Sequence, residues 1–108
     1  AYDLALMSKE ALKDPVFCEI VAKTRFSRPK TNKQVAATYL QTNRLIRPGK
    51  FYYSKAIGMK TGYHSKAKRT FIGAARFEGR TLIVVLLGYA DRNAIFSDAI
   101  KLFDAAFN

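Results

Sequence analysis

Two apolar segments on either side of a two-residue break most constrain how this chain folds. The first runs from Thr70 to Phe77, the second from Thr81 to Leu87, and Glu78-Gly79 lies between them. Such runs, rich in β-branched and aromatic residues around a Gly-containing pair, predict a β-hairpin. The second run is apolar at every position from Leu82 to Leu87, so we expect a central strand that is covered on both faces. The pattern predicts a layered α/β sandwich rather than an open sheet.

A helix is predicted at each end of the chain. Helical spacing of apolar residues predicts one over residues 4–13, with Asp3 as its N-cap and Pro15 closing the segment. Near the C-terminus, apolar residues recur at spacings of three and four, which predicts an amphipathic helix that needs a sheet to pack on. These residues are Ile95, Phe96, Ala99, Ile100, Phe103, Ala106 and Phe107.

The segment after the first helix is predicted to form a pair of strands. Recurring β-branched and aromatic residues predict a strand over residues 17–26, followed by an exposed polar loop over 27–33. Residues 35–39 are predicted to return as its partner strand. No internal repeat, low-complexity tract or domain boundary interrupts the chain, so these elements belong to one folding unit.

Composition excludes several classes of protein. A chain of 108 residues, 49% of them hydrophobic, has material for a single core. Cys18 and His64 are its only Cys and His, so it can form neither an intramolecular disulfide nor a Cys/His metal site. We therefore expect no metal and no cofactor, and Cys18 to act as a small hydrophobic residue. The longest strongly apolar run, Leu82 to Leu87, is too short to cross a bilayer.

Positive charge is concentrated in the middle of the chain. The net charge is +11, and residues 23–80 carry fifteen Lys and Arg against Glu78 alone, a net +14. Such a block attracts nucleic acid, an anionic surface or small anionic ligands such as carboxylates, or it simply forms a solvated basic face. A nonenzymatic nucleic-acid-binding module is one reading. Its candidate stacking platforms are Phe51, Tyr52, Tyr53 and Tyr63.

A short motif before the hairpin gives a sharper indication. Residues 56–63 are predicted to form a further strand, and they contain Lys60-Thr61-Gly62. This triplet resembles the Lys-Thr-Gly signature of the penicillin-recognising serine enzymes, in which it occupies a sheet strand that lines the active site. Two strands and a terminal helix follow in the order of that family. Residues 1–12 and 42–46 also resemble its D-alanyl-D-alanine carboxypeptidase branch, so the resemblance covers essentially the whole chain; a β-lactamase fragment fits these stretches less well.

The resemblance implies a fold, an activity and a location. The fold is α+β, a three-layer α/β/α sandwich with an antiparallel sheet, of which residues 1–108 form the C-terminal part of a single catalytic domain. The implied enzyme removes the terminal D-alanine from peptidoglycan stem peptides through an acyl-enzyme and is a target of β-lactams. Its implied location is the bacterial periplasm or cell envelope, with membrane association through segments outside this chain. The implied partner is the N-terminal portion of the same enzyme, and nucleic acid is not expected to bind.

The family's nucleophile is expected to be absent from these residues. It lies in a Ser-x-x-Lys motif on a helix, and both that motif and the later Ser-x-Asn belong farther upstream of Lys-Thr-Gly than this chain reaches. Two strings match Ser-x-x-Lys by chance. In Ser27-Arg28-Pro29-Lys30 the proline opposes the required helical turn, and Ser65-Lys66-Ala67-Lys68 falls in a connection between strands. The chain alone is therefore predicted to be inactive.

The signature residues have roles that elementary chemistry explains. A substrate ending in D-alanine presents a carboxylate, which the Lys60 ammonium and the Thr61 hydroxyl can bind through charge-assisted hydrogen bonds worth about 1.5–3 kcal/mol. Gly62 lacks a Cβ, so a substrate backbone can approach the strand edge and pair with it. Lys60 would also give electrostatic support to catalysis.

Three further positions are expected to matter at the substrate site. The resemblance implies that the residue at His64, or slightly beyond it, supplies an amide of the oxyanion hole. Relatives often have an Arg for the substrate carboxylate where this chain has Ile95, and Arg92, one helical turn earlier, is predicted to replace it. Relatives also often have a Gly where this chain has Lys68. Asn43, which resembles a family asparagine, is expected to form structural hydrogen bonds.

Overall fold

The computed structural model describes all 108 residues. It contains three helices and five strands. The strands form an antiparallel β1-β2 pair and a three-stranded antiparallel sheet in the order β3-β4-β5. Helix α1 packs against β5, α2 against β3, and α3 against β4 and β5. The elements are α1 Tyr2–Ala11, α2 Pro15–Val21, β1 Arg25–Arg28, β2 Ala37–Leu40, β3 Ala56–His64, β4 Lys68–Phe77, β5 Arg80–Tyr89 and α3 Arg92–Phe107. No helix is both long and apolar enough to cross a membrane.

The predicted hairpin is confirmed as β4 and β5. Phe77 pairs with Arg80 across a two-residue connection, in which Glu78 has φ 51° and Gly79 has φ 76°. Positive φ at both positions is the type I′ geometry, whose twist matches that of the flanking strands. The Glu78-Gly79 pair therefore fixes the register of the sheet's two longest strands.

Helices cover both faces of the sheet, as the layered prediction requires. On one face, Phe71 of β4 packs edge-to-face on Phe96 of α3, with ring centroids 5.3 Å apart. Side chains alternate between faces along β3 and β4, so Gly58, which lies opposite Ala74, points to the other face. A Cβ at Gly58 would come within 2.8 Å of Val21 in α2. The chain thus has the α/β/α layers and antiparallel sheet that were predicted.

The position of β5 within the sheet differs from the prediction. The apolar run of β5 predicted a central strand, but β4 is central and β5 lies at an edge of the three strands. Its two faces are nevertheless in contact with helices α1 and α3. An apolar pattern on both faces indicates that both faces of a strand are covered. It does not indicate whether another strand pairs along each edge.

The core lies between the sheet and α3. Helix α3 confirms the predicted C-terminal helix, and its N-cap Asp91 accepts a hydrogen bond from the backbone of Asn93 at 2.8 Å. Its apolar stripe packs on the sheet because the stripe repeats with the helical period. The buried core residues are Leu45, Phe71, Ala75, Leu86, Ile95, Phe96, Ala99 and Phe103.

A half-buried tyrosine ties this core to the surface of α3. The Tyr53 ring stacks on Phe103 with centroids 5.8 Å apart, and its hydroxyl donates a hydrogen bond to Asp104 at 2.7 Å. Burial, followed by this hydrogen bond and the Asp104 charge, raises the pKa of Tyr53 to about 12. On β5, the hydroxyl of Tyr89 donates to Asp98 at 2.7 Å, and this bond raises the pKa of Tyr89.

The prediction of a strand over residues 17–26 is wrong for most of that segment. Residues 15–21 form helix α2, and a strand begins only at Arg25. The Asp14 carboxylate accepts hydrogen bonds from the backbone N–H groups of Val16, at 2.9 Å, and Phe17, at 3.4 Å. Pro15 also occupies the first helical position. The Asp14 cap and this proline together favour a helix more strongly than the following β-branched residues favour a strand.

Two smaller differences concern the first elements. Helix α1 spans Tyr2–Ala11, with Ala1 rather than Asp3 at its N-cap, so Asp3 lies inside the first turn. An acidic residue there still favours the helix, because the N-terminus carries partial positive charge. The predicted partner strand over residues 35–39 is present as β2, shifted to Ala37–Leu40.

Candidate functional site

A cavity of about 290 Å³ opens at one end of the sheet, where β3, β4, α3 and the segment 42–47 meet. We call it the arginine pocket, because four of its lining residues are arginines and none is Asp or Glu. Its lining consists of Thr42, Arg44, Arg47, Thr61, Gly62, Tyr63, Arg69, Thr70, Arg92, Ile95 and Phe96. Such a lining favours an anionic ligand, since positive charges in a half-enclosed cavity reinforce one another.

Strand β3 brings two of the signature residues to this pocket. The Thr61 hydroxyl lies 2.5 Å from the Thr42 hydroxyl, at the rim shared by β3 and the segment 42–47. Gly62 pairs with Thr70 of β4, and a Cβ at Gly62 would lie only 2.7 Å from the Thr70 hydroxyl oxygen. A larger residue at this position would therefore require the Thr70 side chain to turn away.

One edge of β3 is free. The strand pairs only with β4, so the backbone N–H and C=O groups on its other edge have no strand partner. An edge of this kind can accept an extended peptide as an additional strand. The free edge and the arginine pocket share Thr61 and Gly62, so a peptide paired along β3 would place its end near the arginines.

Lys60 and His64 lie on β3 but outside the lining of the pocket. Lys60 is exposed, and its ammonium donates a hydrogen bond to the backbone carbonyl of Thr61. His64 is exposed at the end of the strand, where its Nδ1 accepts a hydrogen bond from the backbone of Lys66 at 3.2 Å. Among the predicted site residues, the structure thus brings Thr61, Gly62 and Arg92 into one cavity.

Helix α3 supplies the floor and one charged wall. Arg92 is the first helical residue and is exposed, whereas Ile95, 2% exposed, and Phe96, 4% exposed, are buried beneath it. The N-terminus of the helix adds partial positive charge. Ile95, the position at which the resemblance implies an arginine in relatives, is buried, and Arg92 lines the same cavity; its role as a replacement stays a prediction.

Three arginines of the pocket were not identified from the sequence. Arg44, Arg47 and Arg69 are half-buried, and they come from two segments that are distant along the chain. Arg47 donates a hydrogen bond to the carbonyl of Gln41 at 3.2 Å, and the Arg69 guanidinium lies 4.3 Å from the centroid of the Tyr63 ring. The only sequence signal was the basic block of residues 23–80, which does not say which charges converge.

A buried asparagine holds the segment that carries Arg44 and Arg47. Asn43 is fully buried, and its side-chain oxygen accepts a hydrogen bond from the backbone of Leu45 at 3.0 Å. The carbonyl of fully buried Leu45 accepts in turn from the backbone of Tyr53 at 2.7 Å. These bonds anchor this wall of the pocket to the core, so Asn43 has the structural role that was expected.

The two chance matches to Ser-x-x-Lys are not helical. Ser27 lies in β1, followed by a loop, and Ser65 lies in the turn between β3 and β4. A helical turn is what would place Ser and Lys of such a motif side by side. The lysine of the second match, Lys68, has φ 63°, a left-handed conformation that favours glycine, which explains why glycine suits this position.

The stacking platforms of the nucleic-acid reading are partly internal. Phe51 packs on Phe96 at a centroid distance of 5.9 Å, and Tyr53 on Phe103 at 5.8 Å, so both rings are half-buried against the core. Tyr52 and Tyr63 are exposed, but Arg69 lies over the Tyr63 ring. Nothing in this arrangement supports a nucleic-acid-binding surface.

Comparisons with known proteins agree on one family. The family model described as D-alanyl-D-alanine carboxypeptidase matches residues 1–91. Among curated proteins, the chain is 33% identical to the D-alanyl-D-alanine carboxypeptidase DacB2 of Mycobacterium tuberculosis over 110 residues, which are 99% of this chain and 36% of that protein. It is 30% identical to the carboxypeptidase DacF of Bacillus subtilis, covering all of this chain and 26% of that protein.

Solved structures lead to the same family. The crystal structure of a D-alanyl-D-alanine carboxypeptidase from Mycobacterium tuberculosis superimposes with a TM-score of 0.83 at 31% identity, over 99% of this chain and 39% of that one. The Streptomyces K15 DD-transpeptidase gives a TM-score of 0.86 at 30% identity, over 97% and 40%. The chain thus spans well under half the length of these relatives. From its residues, its layers and these matches, it belongs to the D-alanyl-D-alanine carboxypeptidase family of penicillin-recognising serine enzymes.

Proposed function

We propose that this chain is the carboxylate-binding part of a serine D-alanyl-D-alanine carboxypeptidase. The enzyme removes the terminal D-alanine from peptidoglycan stem peptides through an acyl-enzyme and is acylated by β-lactams. One observation carries the proposal. Lys60-Thr61-Gly62 lies on β3, a strand with one unpaired edge, beside a pocket that is lined by four arginines and no acidic residue. A peptide that ends in a carboxylate matches both the edge and the charge.

The substrate would lie along β3 as an added strand. Its terminal carboxylate accepts hydrogen bonds from the Thr61 hydroxyl and from the guanidinium of Arg92, both of which line the pocket. The Lys60 ammonium, which donates to the Thr61 carbonyl, would have to turn away from that carbonyl to reach the same carboxylate. Gly62 leaves the strand edge open, so the substrate backbone can pair there without meeting a Cβ.

The acyl-transfer machinery would be completed from outside these residues. Neither Ser27 nor Ser65 lies on a helix with its lysine, so the nucleophile and its lysine come from the N-terminal portion of the same enzyme. The backbone amide at His64, at the end of β3, would stabilise the developing oxyanion. Lys60 adds positive charge where negative charge develops. Residues 1–108 thus act as the C-terminal part of a catalytic domain in the bacterial periplasm or cell envelope, where a membrane anchor outside this chain would hold the enzyme.

Labelling with a fluorescent penicillin tests this proposal. The complete enzyme is expected to become covalently labelled, with the label mapping by mass spectrometry outside residues 1–108, whereas this chain alone remains unlabelled. The release of D-alanine from a D-Ala-D-Ala peptide should accompany labelling. Label on Ser27 or Ser65 would contradict the assignment of the nucleophile. An unlabelled complete enzyme that releases no D-alanine would overturn the proposed function.

Substitutions on β3 and α3 test the carboxylate site. Lys60→Ala is expected to lower kcat/KM for a D-Ala-D-Ala peptide by about tenfold to a hundredfold, because one charge-assisted hydrogen bond is worth about 1.5–3 kcal/mol. Lys66→Ala removes the same charge from the exposed turn and should leave kcat/KM within about twofold, given the small energies of exposed charges. Unchanged substrate affinity in Arg92→Ala would contradict the role given to Arg92.

A further inference from the structure

Two threonine hydroxyls meet at the rim of the arginine pocket. The Thr42 hydroxyl lies 2.5 Å from the Thr61 hydroxyl, a hydrogen-bond distance at which either oxygen can be the donor. Thr61 belongs to β3, Thr42 belongs to the segment that follows β2, and both residues line the cavity. The bond therefore joins the signature strand to a residue 19 positions earlier in the chain.

The single proton of the Thr61 hydroxyl limits how this bond can be used. A threonine hydroxyl has one O–H donor and two acceptor lone pairs, whereas a carboxylate only accepts hydrogen bonds. Under the proposed function, Thr61 must therefore donate its proton to the substrate carboxylate. The bond to Thr42 can coexist with that donation in one direction only, in which Thr42 donates and Thr61 accepts.

The backbone is held in place on both sides of Thr42. Gln41 donates a backbone hydrogen bond to the Thr24 carbonyl at 2.9 Å. Asn43 is fully buried, and its side-chain oxygen accepts a hydrogen bond from the backbone of the same segment. Because Thr42 lies between two anchored residues, its hydroxyl has little freedom to move away from Thr61.

The backbone of Thr61 is fixed by the sheet. Thr61 lies opposite Phe71 of β4, which is 1% exposed in the core. A β-branched side chain has few χ1 rotamers, so contact with Thr42 selects one direction for the Thr61 hydroxyl. Groups that are fixed before a ligand binds lose less conformational freedom when it arrives.

We propose that Thr42 is a positioning residue for Thr61. Its hydroxyl donates to the Thr61 oxygen and so directs the Thr61 proton toward the substrate carboxylate. Hydrogen bonds in a chain polarise one another, so this donation also makes Thr61 a stronger donor. The pair favours a carboxylate, which only accepts, over a terminal amide, whose amino group only donates. This inference rests on the proposed function and adds a specificity-determining residue to the same site.

Two peptides that differ only at the C-terminus test the role of Thr42. The complete enzyme is assayed with a peptide that ends in D-Ala-D-Ala and with its C-terminal amide, and the ratio of the two kcat/KM values measures the preference for the carboxylate. Thr42→Val keeps the β-branched shape and removes the hydroxyl. We expect this variant to lower the acid-to-amide ratio by about threefold to tenfold, the effect of one neutral hydrogen bond. Thr42→Ser should restore most of the preference.

A second hydroxyl pair in the chain supplies a matched control. The hydroxyls of Ser27 and Thr38 lie 3.2 Å apart across the β1-β2 pair, and neither residue lines the arginine pocket. Thr38→Val should therefore leave the acid-to-amide ratio unchanged. A ratio is insensitive to the fraction of folded enzyme, so a partly unstable variant remains informative.

A double substitution shows whether Thr42 acts through Thr61. If Thr42 only positions that hydroxyl, adding Thr42→Val to Thr61→Val should change kcat/KM for the D-Ala-D-Ala peptide by less than about twofold, because no hydroxyl remains to be directed. An equal loss in the presence and absence of Thr61→Val would show that Thr42 acts independently of Thr61, and it would overturn the positioning role.

The remaining outcomes separate this inference from the proposed function. An unaltered acid-to-amide ratio in Thr42→Val, in an enzyme that still releases D-alanine, would overturn the positioning role and leave the carboxypeptidase in place. The same conclusion would follow if the unsubstituted enzyme showed no preference for the acid. An enzyme that cleaves neither peptide and is not labelled by penicillin would overturn both proposals.

Discussion

Residues 1–42 and residues 43–108 are organised in different ways. The second region contains every buried residue of the chain except Ser8, and all lining residues of the arginine pocket except Thr42. The first region contains most of the large apolar side chains that are exposed. They are Tyr2, Leu6, Met7, Val16, Ile20, Phe26, Val35, Tyr39 and Leu40. The site is thus built on a packed scaffold of sheet and α3, while α1, α2 and the β1-β2 pair bury few side chains.

The largest expected effect contrasts one phenylalanine from each region. Phe103 is 2% exposed in the core, and Phe103→Ala should lower the free energy of unfolding by about 3–5 kcal/mol, because it leaves a cavity that its neighbours cannot fill. Phe26 on β1 is 56% exposed, and Phe26→Ala should cost no more than about 0.5 kcal/mol. Denaturant unfolding measures both. Similar losses would show that the first region is as tightly packed as the second.

Alanine substitutions at two glycines also compare the two regions, because each added Cβ would press on a side chain of a different region. A Cβ at Gly73 would lie 2.7 Å from the ring of Phe71, which is 1% exposed and cannot move away, so Gly73→Ala should cost about 1–3 kcal/mol. At Gly58 the contact is Val21 of α2, at 2.8 Å. Because α2 has no buried residue, it can shift, and Gly58→Ala should cost less. Denaturant unfolding of both variants checks the order, and the Val21→Ala/Gly58→Ala pair should recover most of the smaller loss.

Removing the helix caps should affect the two regions differently. Asp14→Ala and Asp91→Ala each remove a side-chain cap worth about 1 kcal/mol. Helix α2 has no buried side chain to hold it, so Asp14→Ala should abolish hydrogen-exchange protection within residues 15–21. Helix α3 buries four side chains and should stay protected in Asp91→Ala, which would lower only the global stability. Equal local losses in both helices would contradict this difference.

The smallest effect concerns the alkaline stability of the second region. The pKa of Tyr53 is raised to about 12, above its ordinary value of 10, by burial and by Asp104. The unfolded chain therefore ionises first, so the contribution of Tyr53 to stability is complete below pH 10 and is lost as the pH rises toward 12. Tyr53→Phe should remove this part of the pH dependence in unfolding experiments. Asp104→Asn should reduce it, and an unaltered slope in both variants would contradict the assignment.

Local sequence signals predicted the elements whose partners are close along the chain. The β4-β5 hairpin follows from Glu78-Gly79 and its flanking runs, and α3 from its apolar period. Helix α2 also has a local signal in Asp14-Pro15, which outweighs the strand preference of the β-branched residues after it. The edge position of β5 could not be predicted from the sequence pattern, because apolar residues on both faces of a strand do not show which strands pair with it.

The same division applies to the candidate site. Lys60-Thr61-Gly62 is contiguous, so its motif predicts the strand, and the helical turn between Ile95 and Arg92 points to Arg92, which lines the pocket. Arg44, Arg47 and Arg69 have no common spacing, since tertiary packing alone brings the segment 42–47 against the start of β4. Their convergence became visible only with the fold.

The free edge of β3 has a consequence for how the protein avoids pairing with itself. An uncovered strand edge accepts any extended chain, including a second copy of the same strand. Lys60 lies in the middle of this edge strand, so two copies of β3 that pair about their midpoints would bring two lysines together and repel each other. A peptide that ends in a carboxylate meets the opposite situation. Under the proposed function, the charges that attract the substrate would also keep its binding edge free of other protein molecules, whereas β5 has no charged residue after Arg80 to do the same.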